Sequence, residues 1–283
     1  MVRSCGAIVA QATFDGPAAI RHLAGMTPDR LVELERVLNF RDFGGYDTPD
    51  GRVVRGKLYR SAHFHEATDA DMERLDALGV RFIVDLRRSE ERSGEPNRWP
   101  GEGVRSISSD EGVTSALPPH LQALLQSDLT AASVASYMHT LYREFAAQQR
   151  HIQLYSEWFR ELARGEGAGV IHCAAGKDRT GLGCALTLYA LGVDDDAIFA
   201  DYEYTNSAMN IEARLPRIQA RMEERLGRKL NADALRPMLS VDPAYLHTAF
   251  ASIDEQYGSR DGYLEVLGIG VSEREALREN LIG

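Results

Sequence analysis

Cys173 and Arg179 are the residues whose types and spacing say most about chemistry. Five residues separate them, and three of those, Ala174, Ala175 and Gly176, are small. They stand in Val170-Ile171-His172-Cys173-Ala174-Ala175-Gly176-Lys177-Asp178-Arg179-Thr180-Gly181, which reads as a short strand, a loop and the start of a helix. Such a loop can curl until successive backbone N–H groups converge on one point at a helix N-terminus. The result is an anion nest, to which the helix dipole adds partial positive charge. A cysteine at its mouth has its thiolate stabilised and so becomes a nucleophile. Arg179 offers a planar fork for two phosphate oxygens, which the point charge of a lysine cannot reproduce. The same donors suit the equatorial oxygens of a phosphoryl group in transfer. His172 is placed to orient the loop and tune the thiolate, and Thr180 to donate to the sulfur as it leaves. A buried, inert Cys173 is the plain alternative, but it leaves the loop and Arg179 without a purpose. Cys184, on an apolar helical stretch, reads as a core residue, and Cys5 is uninformative.

Positioning this loop requires strands that alternate with helices. Val80–Arg87 and Gly169–His172 are short apolar runs of the kind found in buried parallel strands. Leu31–Leu38 also predicts a strand, and Val53–Arg55 with Lys57–Ser61 predicts a hairpin region. Thr68 caps a helix carrying Met72, Leu75 and Leu78 at helical spacing, and Gly79 ends it. Residues 88–112 read as loop with one short strand. Residues 117–164 are strongly helical and supply Leu121, Leu124, Leu125, Leu129, Tyr137, Leu141, Phe145, Trp158, Phe159 and Leu162 for packing. Thr180–Leu191 is a small-residue helix closed by Gly192, and the remaining third is mainly helical. The expected class is α/β, with a mostly parallel central sheet flanked by helices. The expected organisation is a lead-in over residues 1–30 and one domain over 31–283. A helical insert at about 113–164 is either a lid over the site or an ordinary outer layer.

The chain has 283 residues, 44% of them hydrophobic, which is enough for a sizeable core. No apolar run approaches the roughly 20 residues of a membrane span, so an integral membrane helix is not expected. A net charge of −10 argues against nucleic-acid or anionic-membrane partners but not against a local phosphate pocket. Three widely spaced cysteines form neither a disulfide framework nor a metal-ligand set, so no metal or cofactor is expected. The N-terminus makes a poor secretory signal. The expected location is the cytoplasm, or outside the cell by a route without a signal peptide.

The string His172–Gly181 resembles the signature loop of the protein tyrosine phosphatase superfamily. Its full form, His-Cys-Ala-Ala-Gly-Lys-Asp-Arg-Thr-Gly, is similar to that of an atypical bacterial branch. Asn39-Phe40-Arg41-Asp42-Phe43-Gly44-Gly45, Leu58-Tyr59-Arg60-Ser61, Asp85-Leu86-Arg87 and Tyr257-Gly258-Ser259 extend the resemblance over about residues 31 to 280. The resemblance implies a phosphatase α/β fold and metal-free hydrolysis through a phosphocysteine. It also implies phosphorylated protein or phosphoinositide substrates. Lys177 and Asp178 resemble the lipid-active branches, where added positive charge suits a multiply phosphorylated head group. Residues Ala174 to Arg179 are then the phosphate-binding set.

The Trp-Pro-Asp acid loop of the superfamily is missing, because Trp99-Pro100-Gly101 ends without a carboxyl. Another acid must protonate the leaving oxygen. Asp178, inside the loop, is the first candidate. Asp85, at the end of a strand, is the second. Asp110 and Glu111 stand behind them. Asn39, Arg41 and Asp42 are expected to fasten the Gly-Gly turn, and Arg60 is a weak phosphate-binding candidate. A dedicated phosphoinositide phosphatase, a phosphate-binding pseudophosphatase and a sulfur-transfer enzyme are the rival readings.

Overall fold

The computed structural model describes residues 30–110, 130–227 and 229–283. Cys5, the lead-in before residue 30, Glu111 and the leucines at 121, 124, 125 and 129 lie outside the described residues. The centre is a five-stranded sheet built from β1 (Arg41–Asp42), β4 (Leu58–Ser61), β7 (Ala168–His172), β5 (Val80–Asp85) and β6 (Arg105–Ser108), in that spatial order. β1 runs antiparallel to β4, and the other pairs are parallel. Every residue of β7 is buried, as the continuous apolar run requires when both sheet faces are covered. Alternation sorts the side chains. Val170 and Ile83 join the cluster around Phe64 and Trp99, whereas Ile171, Phe82 and Val84 join the larger helical core.

Register decides where the site falls. Ser61 of β4 pairs with His172 of β7, His172 with Asp85 of β5, and Asp85 with Ser108 of β6. The carboxyl ends of four parallel strands therefore share one row, and Cys173 follows directly from it. Ligands of open α/β sheets bind at this edge.

Two local expectations are corrected. Leu58–Ser61 is an interior strand paired with β1 and β7, while the hairpin lies earlier, in β2 (Asp47–Thr48) and β3 (Gly51–Arg52). The stretch Leu31–Leu38 has only an isolated bridge, from Leu31 to Arg41. Its amides at Glu35 and Arg36 are taken by the carboxylate of Asp71, at 2.6 and 3.0 Å, so a side chain satisfies what a neighbouring strand would have. Asp71 sits in α1 (Asp69–Asp76), where it completes a capping box with Thr68.

Residues 88–112 hold β6, as expected, and a short helix, α2 (Ser89–Gly94), which buries none of its residues. Without an apolar face it leaves no periodicity to read. The described part of the helical insert forms α3 (Ala131–Phe145) and α4 (Gln149–Arg164). Leu154, Tyr155, Trp158, Phe159 and Leu162 of α4 are buried in the main core, so α4 is packed into the domain. α5 (Asp178–Ala190) is buried along nearly its whole length. It is followed by α6 (Asp195–Met209), α7 (Ile211–Leu226), α8 (Ala232–Leu239), α9 (Pro243–Tyr257), α10 (Arg260–Val266) and α11 (Val271–Leu281). Among the described residues no helix is long and apolar enough to cross a membrane.

His151 of α4 gives this core a pH dependence. It is 1% exposed, donates through Nδ1 to the carbonyl of Phe145 at 3.0 Å, and faces Arg150 through Nε2 at 3.1 Å. Burial, with the Arg150 charge beside it, pushes its pKa down to about 3. An unfolded histidine takes its proton near pH ~6.5, so in the interval below that the unfolded chain binds more protons. Stability is then lost as pH falls, by about 1.4 kcal/mol per unit from this group. Urea unfolding at pH 7 and pH 5 is expected to show about 2 kcal/mol of acid destabilisation in the wild type that His151→Asn lacks. Equal pH slopes for the two proteins would overturn the assignment.

Candidate active site

The loop after β7 is held by its carbonyls. That of Cys173 accepts from His172 Nδ1 at 3.1 Å and that of Ala174 from the His63 amide at 3.2 Å. Those of Ala175 and Gly176 accept from Asn39 Nδ2 at 3.3 and 2.8 Å, and Arg60 Nη2 adds a second bond to Gly176 at 3.1 Å. In a planar trans peptide the N–H points opposite to the C=O. Anchoring these oxygens to the surrounding scaffold thus turns the amides of Ala174, Ala175, Gly176 and Lys177 toward the inside of the loop. Gly176 makes the curl possible. Its φ is +64°, and a Cβ there would lie 2.2 Å from the carbonyl oxygen of Ser61. Cys173 lies at the base of this ring of amides, 2% exposed.

Arg179, on the first turn of α5, is gripped from one side. Nη1 donates to Glu91 Oε2 at 2.7 Å and to the Leu86 carbonyl at 3.0 Å, and Nη2 donates to Glu91 Oε1 at 2.8 Å. Its own carbonyl accepts from Tyr155 Oη at 2.7 Å. A guanidinium has five N–H donors in a fixed plane. The Nη1–Nη2 edge is occupied by Glu91, and the Nε–Nη2 edge has no acceptor among the described residues. Burial alone would make Glu91 hard to ionise, but the charge and hydrogen bonds of Arg179 hold its carboxyl well below the usual range. Glu91 went unseen in sequence because it lies 88 residues away. Its one local sign is its bond to the Arg88 amide at the start of α2.

Beneath the loop lies a buried polar network. Asn39 has φ +59° and accepts from Arg41 Nη1 while donating to the loop. Arg41 reaches the Asp201 carbonyl and Thr205 Oγ1, and Arg60 Nη1 bonds Asp201 Oδ2 at 2.7 Å. Burial, helped by the charge of Arg60, pushes the pKa of Arg41 down to about 10. One expectation changes here. Asn39 and Arg41 fasten the loop and not the Gly-Gly turn, which Asp42 holds through the Gly44 and Gly56 amides and the Val53 carbonyl through the Gly45 amide. Arg60 donates to Asp201 and to the Gly176 carbonyl from behind the loop.

The two leading acids differ sharply. Asp85 is 3% exposed and takes the Arg87 amide at 3.0 Å, Nε at 3.0 Å and Nη2 at 2.8 Å, with His172 Nε2 3.4 Å away. Burial opposes its ionisation, but the His172 charge and the bonds from Arg87 more than offset that and keep the carboxyl well below its ordinary range. Asp85 is thus enclosed, with both oxygens bonded by Arg87, and fixes Arg87 and the strand end, whereas Asp178 is the more accessible carboxyl. Asp178 opens α5 with its side chain 23% exposed and bonded to Tyr142 Oη at 2.8 Å. Asp110 is paired with Arg92 on the surface. Trp99 is an anchor, donating to Asp76 at 2.7 Å and packing on Phe64.

Lys177 is placed differently from what its position in the loop suggests. Its ammonium is buried and donates to the carbonyls of Met238 at 2.5 Å and Ser240 at 3.1 Å, at the end of α8. It ties α8 to the loop and is not a free cation awaiting a head group. Thr180 is fully buried and its hydroxyl has no partner among the described residues. Cys184 is buried in the core as expected, and burial pushes its thiol up to about 12.

A cysteine at the carboxyl edge of a parallel sheet, ringed by inward amides and beside an arginine with one open edge, is an arrangement able to hold an anion against a thiol. A family model described as "Tyrosine phosphatase family" matches residues 32–283. A putative tyrosine-protein phosphatase of Cupriavidus necator is 33% identical over 250 residues, 86% of either chain. The triple specificity protein phosphatase PtpB of Mycobacterium tuberculosis is 31% identical over 287 residues, 89% of this chain and 99% of that one. A tyrosine-protein phosphatase of Nostoc commune is 29% identical over 228 residues, 78% and 73% of the two chains. The chain belongs to the tyrosine phosphatase family.

Proposed function

We propose that this phosphatase hydrolyses phosphate monoesters, phosphotyrosine first among a broad set, through a phosphocysteine at Cys173. The observation that supports the reading is the anchoring of the loop carbonyls, which turns the amides after Cys173 inward, next to an Arg179 whose Nε–Nη2 edge has no acceptor among the described residues. In the first step the thiolate attacks phosphorus in line, the S–P bond forms, and the bond to the leaving oxygen breaks. Asp178 gives that oxygen its proton. In the second step water attacks phosphorus, Asp178 takes a proton back, and the S–P bond breaks. The buried Thr180 hydroxyl, which has no partner among the described residues, is our candidate donor to the departing sulfur.

The inward amides and Arg179 recognise a phosphoryl group whatever carries it, which supports broad specificity. The withdrawal of Lys177 removes the main argument for a dedicated inositol-lipid enzyme. Acid quenching during turnover is expected to leave phosphate on the peptide that contains Cys173, detected by mass spectrometry. Phosphate on another residue, or none with a slow substrate under burst conditions, would overturn the mechanism. Phosphotyrosyl peptide is expected to outpace monophosphorylated inositol lipid, and the reverse order would make the lipid reading correct.

A further inference from the structure

Asp178 is gripped on one oxygen only. Tyr142 Oη of α3 lies 2.8 Å from Oδ1, and Lys177 Nζ lies 3.2 Å from the same oxygen. Tyr142 Oη is in turn 2.6 Å from Tyr202 Oη of α6. Both tyrosines are buried, at 0% and 1% exposure, and no described residue hydrogen-bonds Oδ2. Tyr202 reaches this position because residue 181 is glycine: a Cβ there would lie 2.9 Å from the Tyr202 ring.

The direction of the chain follows from donor chemistry. An ionised carboxylate only accepts, so Tyr142 donates its hydroxyl hydrogen to Oδ1. Its oxygen is then the acceptor for the Tyr202 hydroxyl. Burial and the Asp178 charge keep the phenol of Tyr142 protonated far above neutral pH. When Asp178 takes up a proton, placing it on Oδ1 would displace the Tyr142 hydrogen and set it against the Lys177 ammonium. Oδ2 meets neither obstacle.

We propose that Tyr142, backed by Tyr202, is a positioning residue that directs the transferable proton of Asp178 onto Oδ2, the oxygen that no described residue hydrogen-bonds. This rests on Asp178 as the general acid. Hydrogen bonds linked in series in a buried setting polarise one another, so Tyr202 strengthens the grip of Tyr142 without touching the acid. The assignment gives a purpose to two buried phenols, on α3 and α6, that the loop motif does not mention.

The test compares kcat/KM, which includes departure of the leaving group, on phenyl phosphate and on 2,4-dinitrophenyl phosphate. The second needs little protonation of its leaving oxygen. Asp178→Asn is expected to lose on the order of 10²-fold or more on phenyl phosphate and far less on the dinitrophenyl ester. Tyr142→Phe is expected to lose about tenfold on phenyl phosphate and less than about twofold on the dinitrophenyl ester. The double variant is expected to lose no more than Asp178→Asn alone.

Equal losses of Tyr142→Phe on both esters, or no loss, would leave Asp178 as the acid but overturn the role of Tyr142. Equal losses of Asp178→Asn on both esters would take the acid assignment and the positioning role down together. Should Tyr142→Phe unfold, Tyr202→Phe serves instead: it leaves the bond to Asp178 in place, and a smaller loss confined to phenyl phosphate is expected. An equal loss on both esters there would again refute the proposal.

Discussion

Cys173→Ser is expected to lower turnover of para-nitrophenyl phosphate on the order of 10⁴-fold or more while leaving phosphate binding in place. The substitution exchanges sulfur for oxygen and nothing else. A serine hydroxyl at neutral pH is not ionised, and the ring of amides lacks a base close enough to make it so. The carbonyl anchors of the loop do not involve the sulfur, since Asn39, His63, Arg60 and His172 all bind main-chain oxygens. The nest and Arg179 should therefore still hold the anion. Calorimetric titration with inorganic phosphate and a thermal unfolding curve, run beside the steady-state assay, separate lost chemistry from lost structure. Activity above about one per cent of wild type in a folded variant would remove Cys173 from the reaction.

What sequence can and cannot tell about this site depends on where each partner lies. Cys173, the small loop residues and Arg179 are contiguous, and the apolar run before them and helical pattern after them predict the turn that joins strand to helix. The groups that hold the loop come from far away: Asn39 is 137 residues from Gly176, and Asp201 is 141 from Arg60. No periodicity reports such a pairing. Asn39 and Arg41 were visible as a polar cluster before two glycines, but only the fold shows that they point to the loop.

The surroundings of Asp85 were hidden for a related reason. Its place at the carboxyl end of β5 is the one expected of a catalytic residue, yet Arg87, two positions on, folds back and claims it. Lys177 lies in the signature loop, but α8 offers two carbonyls at its helix end that satisfy the ammonium better than solvent exposure. Cations near the last turn of a helix are favoured there. Pattern placed the strands of the sheet better than its irregular approaches, because β5 and β7 are buried along nearly their whole length, whereas Leu31–Leu38 is only partly covered, with Val37 alone of its residues buried.

The grip of Glu91 on Arg179 carries the second large effect. Arg179→Lys is expected to reduce kcat/KM about 10³-fold, because an ammonium cannot meet Glu91 on one side and two phosphoryl oxygens on the other. Glu91→Gln keeps the size of the side chain but removes the charge and one of its two acceptor oxygens. Arg179 then keeps the Leu86 carbonyl and loses the paired contact that fixes its plane, so its open edge is no longer held in one direction. A fall of about 10- to 100-fold in kcat/KM is expected, with weaker phosphate binding. If Glu91 acts only by orienting Arg179, the double variant should be little worse than Arg179→Lys alone, a non-additivity that kinetics on the four proteins measures directly. Additive losses would mean that Glu91 has a task of its own and that the open edge of Arg179 does not depend on it.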